Sequence, residues 1–406
     1  MNKIELLAPA GNMEKLKVAF NYGADAVYIG GPSYGLRAFA GNFSNDELKE
    51  AVLYAHKLNK KIYVTVNIFP HNEDLKGMDE YLKYLYDLGT DAIIISDPGV
   101  FSIAKEAAPK MEIHLSTQAN NVNYRSAIFW HGLGVKRIVL ARELSLEEIK
   151  EVRDKTPSTL DLEAFVHGAM CISYSGRCLL SNYMTGRDSN RGECAHPCRY
   201  KYYLMEEKRP GNYMPVEEDE RGTYIMNSKD LCMIEYLPDI INAGITSLKI
   251  EGRMKSSFYV ATVVKAYRKA LDEFLNKGSD YKFNPEWLKD LTKASHREFS
   301  SGFYHNDPGQ IYENSSYIRD YDIVGLVLDY DKNSKTAYIE QRNRVYKGER
   351  VEVFGPNFDT FELELDCLRN ADGESIDVAP HPQMKYSIKC DRELKPFDML
   401  IKQKPE

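Results

Sequence analysis

Across 406 residues the chain has no apolar run approaching the eighteen or more that a membrane-spanning helix needs. Its opening, MNKIELLAPAGNMEK, carries a lysine but no apolar core of signal-peptide length, so the expected compartment is the cytosol. Positive charge is also short. With 53 Lys and Arg against 60 Asp and Glu, the formal net charge is −7, so any nucleic-acid contact must come from a local patch. No CxxC pair occurs, which removes the usual zinc-finger spacing, and no HExxH occurs, which removes the common zinc-protease site. The absence of a GxGxxG turn counts against a dinucleotide-binding open sheet.

Cysteines are few but gathered. Five of the seven fall between Cys171 and Cys232, while Cys367 and Cys390 stand apart. In a reducing compartment such a group holds a metal or cluster, or does redox chemistry, more often than it staples a fold. The spacing Cys171-x₆-Cys178-x₁₅-Cys194-x₃-Cys198, with Cys232 further on, leaves three readings open: a [4Fe–4S] cluster, structural zinc, or redox thiols.

Eight short apolar runs alternate with helical patterns over the first 280 residues: Ile4–Ala8, Ala26–Gly30, Ile62–Asn67, Ala92–Ser96, Glu112–Ser116, Arg137–Arg142, Leu162–His167 and Ser247–Glu251. Ser44 with Glu47, and Ser145 with Glu148, spell capping boxes at two helix starts. Eight such units predict an α/β fold, a parallel (βα)₈ TIM-like barrel. The seventh unit carries an insertion, residues 168–232, holding all five clustered cysteines. Loops after strands open onto the C-terminal face of a barrel, so the cysteines are expected to roof its mouth. Residues 281–320 read as a connector. From 321 to 406, alternating strands separated by Asp, Asn, Gly and Pro predict an antiparallel β-barrel domain.

The run Glu163-x-Phe165-x₂-Gly168-Ala169-Met170-Cys171-x₄-Gly176-x-Cys178-x-Leu180-Ser181 resembles the signature of peptidase family U32, the collagenase-like proteases. ELLAPAGNMEKLKVAFNYGADAVYIGG, SLKIEGRMKS and REFSSGFY are similar to that family too, so the likeness covers essentially the whole chain. GRCLLSNYMTGRDSNRGECAHPCRYKY most resembles its tRNA hydroxylation branch, with the anaerobic ubiquinone-hydroxylation proteins as relatives. The resemblance implies oxygen-independent formation of 5-hydroxyuridine at the tRNA wobble position, with prephenate as co-substrate. It also implies a [4Fe–4S] cluster on Cys171, Cys178, Cys194 and Cys232, leaving Cys198 as the extra thiol.

Strand ends supply the other candidates. Attack at a pyrimidine carbon needs an acid or base, for which His167 and Glu251 are read as catalytic, with Lys249 beside them. A Lys-x-Glu-x-Arg run equally suits an internal ion-pair network. Arg142 and Arg253 are the natural cations for a dicarboxylate, and Asn67 and Gln118 complete the substrate-facing set. Arg177, Arg187, Arg191, Arg199, Lys201, Lys208 and Arg209, interleaved with Tyr174, Tyr183, Tyr200, Tyr202 and Tyr203, suit an unstacked anticodon-loop base; a solvated rim is the plainer alternative. Two competing functions remain at this point. One is a collagenase-like peptidase, with His167 four residues before Cys171. The other is a non-catalytic partner that presents tRNA or a small molecule to a paralogous subunit of the same family.

Overall fold

The computed structural model describes residues 4–36, 42–171, 173–199, 203–205, 213–215, 227–305, 310–311 and 317–404. Strands β1 (Glu5–Pro9), β2 (Ala26–Gly30), β3 (Lys61–Val66), β4 (Ala92–Ile95), β5 (Ile113–Leu115), β6 (Arg137–Val139) and β7 (Asp161–Ala169) pair in parallel in chain order. An eighth barrel strand, Ser247–Ile250, pairs in parallel with both β7 and β1 and closes the ring. The expected TIM-like barrel is therefore present. Its strands bury both faces, as in the fully buried Ala26–Gly30, because helices cover the outside.

Those helices are α1 (Met13–Asn21), α2 (Asn45–Lys57), α3 (Met78–Asp87), α4 (Pro98–Ala107), α5 (Tyr124–Gly132) and α6 (Leu146–Asp154). The insertion carries α7 (Leu180–Thr185); α8 (Leu237–Asn242), α9 (Ser257–Lys277) and α10 (Pro285–Lys293) follow. Both predicted capping boxes form, Ser44 with Glu47 and Ser145 with Glu148.

Charge fills part of the barrel interior. Lys249 Nζ lies 2.7 Å from Glu163, whose other oxygen meets Arg137 at 3.2 Å, and Arg137 also pairs with Glu5. Burial pushes the Glu163 carboxyl up, but Lys249 and Arg137 outweigh that and hold it below the usual range. Lys249 also sits 4.6 Å from the Tyr28 ring centroid. The network reading of the Lys-x-Glu-x-Arg run thus describes Lys249, which is committed to a buried carboxylate below the barrel mouth.

Strand β7 runs past the rim. Glu163 and Phe165 belong to the interior, so simple alternation places His167 there as well. A register shift skips Val166 instead: Lys249 pairs with Phe165 and Ile250 with His167. His167 consequently turns outward, packed against Tyr259, Tyr267 and Phe299. The overrunning end of β7 then pairs antiparallel with Asp230–Cys232, so the insertion leaves and rejoins the barrel on one strand.

Residues 321–404 form an eight-stranded antiparallel sheet curled into a half-barrel, with Tyr321–Asp331 as its long first strand. It packs on α1 and α9. The Tyr22 hydroxyl lies 3.1 Å from the carbonyls of both Phe354 and Phe397, and the Tyr22 and Phe354 rings stack at 5.8 Å. Leu326, Phe354, Met399 and Ile401 join the barrel's own apolar core. Breaking the interior network should be costly, because two buried cations lose their partner: Glu163→Ala is expected to lose about 3–5 kcal/mol in denaturant unfolding. A loss under about 1 kcal/mol would show that the network is not held as described.

Candidate functional site: a cysteine-lined cavity at the barrel mouth

A cavity of about 530 Å³ lies at the C-terminal face of the barrel. Its walls come from the ends of β5, β6, β7 and the eighth barrel strand, from the insertion and connector, and from the C-terminal domain. Four thiols line it: Cys171, Cys178, Cys194 and Cys198. Gln118, Arg142, Glu251, Lys255 and Arg319 share the lining. This is where a barrel places its chemistry.

Named contacts hold the insertion over the mouth. Glu143, just after β6, accepts hydrogen bonds from the backbone N–H of Ser175 and, at 2.6 Å, from its hydroxyl. Ser175 is fully buried with φ of +41°, a conformation that a non-glycine residue adopts only when its surroundings impose it. It lies midway between Cys171 and Cys178. Asn190 grips the backbone of Cys178 from both sides, Oδ1 accepting from its N–H and Nδ2 donating to its carbonyl. Arg191 forms a bidentate pair with Asp74 at 2.6 and 2.8 Å, tying the insertion to the loop after β3.

Glu251 reaches the cavity from the end of the eighth barrel strand. The Tyr28 hydroxyl lies 3.3 Å from its carboxylate and 3.0 Å from the Ile250 carbonyl, and Tyr259 donates to the Glu251 carbonyl at 2.9 Å. Gly168 makes this placement possible. A Cβ there would lie 2.5 Å from the Glu251 carbonyl oxygen, and φ is +116°.

The sequence candidates divide. Gln118, Arg142 and Glu251 face the cavity; Arg142 also donates to the Ala169 carbonyl at 3.1 Å. Arg177 and Arg187 are exposed on the insertion rim, where Tyr183 and Leu179 are 86% and 76% exposed. Arg177 donates to the Gln118 carbonyl at 3.0 Å. Asn67 is buried and bridges to Ser116 at 3.1 Å, a tie between the ends of β3 and β5 rather than part of the lining. Arg253 is buried across β2 and β3, with Asn42 at 2.6 Å and Thr65 at 3.3 Å. Tyr200, Lys201, Tyr202, Lys208 and Arg209 lie outside the described residues, and of Arg199 and Tyr203 only the backbone is described.

Two sequence assignments move. His167 sits among aromatic rings outside the lining, and burial holds its imidazole down at about 3, so it stays neutral. Cys232 lies opposite His167 in the ladder and is hydrogen-bonded by Tyr267; burial pushes its thiol up to about 12. Cys198 lines the cavity where Cys232 does not. Among the described residues no three His, Cys, Asp or Glu side chains are drawn close enough to grip a metal ion. The four cavity thiols nonetheless form a soft donor set on one space, which is the chemistry an iron–sulfur cluster requires. Cys198 was expected at the barrel mouth as the extra thiol, whereas Lys255 and Arg319 were missed as cavity residues. Lys255 follows Arg253 by two positions on a loop after a strand and was recoverable from that, whereas nothing in its own segment marks Arg319.

Residues Gly31–Gly35, GPSYG, spell the letters of a serine-hydrolase elbow, GxSxG. That elbow needs its serine on a strained strand-to-helix turn. Here Ser33 is exposed, the positive φ belongs to Tyr34, and the next helix begins at Asn45.

A parallel barrel with a cysteine-bearing seventh loop and an attached β half-barrel defines the class of protein. Residues 11–314 match Peptidase family U32 and residues 319–400 match the Peptidase family U32 C-terminal domain. The chain belongs to peptidase family U32. It is 45% identical over 405 residues to tRNA hydroxylation protein P1 of Bacillus subtilis (strain 168), covering 99% of this chain and 95% of that protein. It is 38% identical over 422 residues to tRNA hydroxylation protein P of Escherichia coli (strain K12), covering 94% and 92%. It is also 37% identical over 279 residues to the 23S rRNA 5-hydroxycytidine C2501 synthase of the same organism, covering 69% of this chain and 41% of that enzyme.

The buried neutral imidazole generates an acid sensitivity. The unfolded chain takes up a proton at His167 below its ordinary value near 6.5, and the folded chain does not until about 3. Stability from this group is therefore full above about pH 6.5 and falls by about 1.4 kcal/mol per pH unit below it. His167→Phe is expected to flatten the unfolding free energy between pH 6 and 4; an unchanged slope would contradict this environment.

Proposed function

We propose that this protein is a tRNA-modifying enzyme that hydroxylates a wobble uridine at C5, without oxygen and with prephenate as co-substrate. The observation that carries the reading is the convergence of four thiols, a carboxylate and an arginine on one cavity, in a chain whose nearly full-length relatives are named for tRNA hydroxylation. The ribosomal relative, named for a 5-hydroxypyrimidine, supports the ring position. Proteolysis has less support: His167 lies outside the cavity lining, the nearly full-length relatives are named for tRNA hydroxylation, and a thiolate held by iron is not a nucleophile.

The thiols suit a [4Fe–4S] cluster, held by Cys171, Cys178, Cys194 and a fourth sulfur, which the lining favours as Cys198 over Cys232. When bound, such a cluster supplies one-electron transfer beside the substrate. The remaining work falls to the chain. Glu251, steadied by Tyr28, is within the cavity to move a proton at the pyrimidine ring. Arg142 offers its guanidinium to a carboxylate of the co-substrate, with Lys255 and Arg319 as further cations on the same walls. Arg177, Arg187 and the exposed Tyr183 edge the opening and suit phosphate contact and base stacking.

Two outcomes are expected. In a strain lacking this gene, wild-type protein restores 5-hydroxyuridine in tRNA nucleoside mass spectra, while Glu251→Gln restores it about 10²-fold more slowly with an unchanged melting temperature; full restoration by the variant would remove Glu251 from the chemistry. In anaerobically purified protein, Cys198→Ser loses iron and sulfide whereas Cys232→Ser keeps both. The reverse result would return the ligand role to Cys232.

A further inference from the structure

The cavity has a wall that its barrel does not provide. Asp322 and Ile323, at the start of the first strand of the C-terminal domain, and Asn343, just after the second strand, line the same space as Glu251 and the thiols. These side chains are not on a loose appendage. Asn343 donates through Nδ2 to the Ile323 carbonyl at 2.9 Å, and its neighbour Arg342 pairs with Glu14 of α1 at 2.7 Å. Asp322 is paired with Lys404 at 3.3 Å. Lys293 of α10 holds Glu352 at 2.6 Å, and Lys265 of α9 donates to the Phe358 carbonyl at 3.2 Å. The shared apolar core makes the attachment continuous.

Charge argues against the other obvious task for such a domain. Residues 321–406 hold seventeen Asp and Glu against thirteen Lys and Arg, an excess of the sign that repels a phosphate backbone. Several of those cations are engaged locally, as Lys335 is with Asp391 at 2.8 Å. A domain built to tether RNA would present unopposed basic surface.

We infer that the C-terminal domain is a fixed wall of the reaction cavity, and that Asp322 and Asn343 are specificity-determining side chains that hydrogen-bond the polar edge of the base seated opposite the thiols. The inference rests on the hydroxylase reading for its substrate and on geometry alone for the wall. A carboxylate and a side-chain amide together offer both acceptors and donors, as the imide edge of a pyrimidine requires. A site of that kind loses its correct substrate steeply when one partner is removed, because the facing polar group is left unpaired.

The test uses the full chain. Asp322→Ala and Asn343→Ala are compared with changes at two exposed lysines outside the cavity lining, Lys335→Glu and Lys389→Glu, reading 5-hydroxyuridine in complemented cells, tRNA affinity by filter binding, and melting temperature. The wall predicts that the two cavity variants lose about tenfold or more of the modification while tRNA affinity holds within about twofold and the melting temperature is unchanged. It also predicts that the exposed-lysine variants change none of the three. Wild-type modification by both cavity variants would overturn the inference, as would a tenfold loss of tRNA affinity in the exposed-lysine variants, which is the tether's signature. A readout independent of activity separates the wall from the function. In iron-free protein, Ile323→Ala should speed labelling of the cavity thiols by a bulky maleimide at least severalfold, with little effect on N-ethylmaleimide. Absence of hydroxyuridine with wild-type protein would sink the hydroxylase reading and the base contacts with it, whereas unchanged bulky labelling would sink the wall.

Discussion

At the rim of the barrel, the end of β7 and the end of the eighth barrel strand approach so closely that only glycine fits between them. A Cβ on Gly168 would stand 2.5 Å from the backbone of Glu251, and the residue takes a φ that side chains avoid. Much of the site follows from that contact. It sets the carboxylate of Glu251 at the mouth, lets β7 run on to pair with Asp230–Cys232, and launches Cys171 three residues later onto the lid. The bulge at Val166 belongs to the same arrangement. Skipping one residue sends His167 and Cys232 toward α9 and leaves the cavity to the insertion's other thiols.

Rigidity beneath and above the cavity comes from different physics. Below it, ion pairs among Glu5, Arg137, Glu163 and Lys249 satisfy one another where water is excluded, so the barrel keeps one register around a charged interior. Above it, the insertion is held by short polar ties from loops after β3, β5 and β6: Arg191 to Asp74, Arg177 to Gln118 and Glu143 to Ser175. The C-terminal domain closes the remaining side through a shared apolar core. Thiols, a carboxylate and cations thus meet in one enclosed space, each carried by a different element.

The barrel was legible because period and punctuation agree. Eight apolar runs separated by helical patterns, two of them opened by capping boxes, admit few other arrangements, and the observed strands differ from the expected ones only at their ends. Cys171, Cys178, Cys194, Gln118, Arg142 and Glu251 were legible as cavity residues because loops after barrel strands open onto one face. His167 was misplaced by a bulge, since alternation carries no record of a skipped residue. Arg253 was misplaced for another reason: a long side chain at a strand end can lie down across neighbouring strands as readily as it can reach upward, and Gly30, by lacking a side chain, left it room to do so. Cys198 lines the cavity and Cys232 does not, a difference that spacing cannot show because it orders thiols along the chain and not in space. The wall from the C-terminal domain was invisible, since no local pattern in Asp322 or Asn343 points to a site made by a separate strand system.

The central claim is that tRNA hydroxylation takes place at the thiol-lined cavity. Nucleoside mass spectrometry of tRNA tests it most directly, in a strain lacking this gene and carrying either the wild-type chain or one with Cys171→Ser and Cys194→Ser together. The account predicts that 5-hydroxyuridine disappears with the gene, returns with the wild-type chain, and stays absent with the double variant despite normal levels of folded protein. Undiminished 5-hydroxyuridine in the deletion strain, or its full return with the double variant, would contradict it.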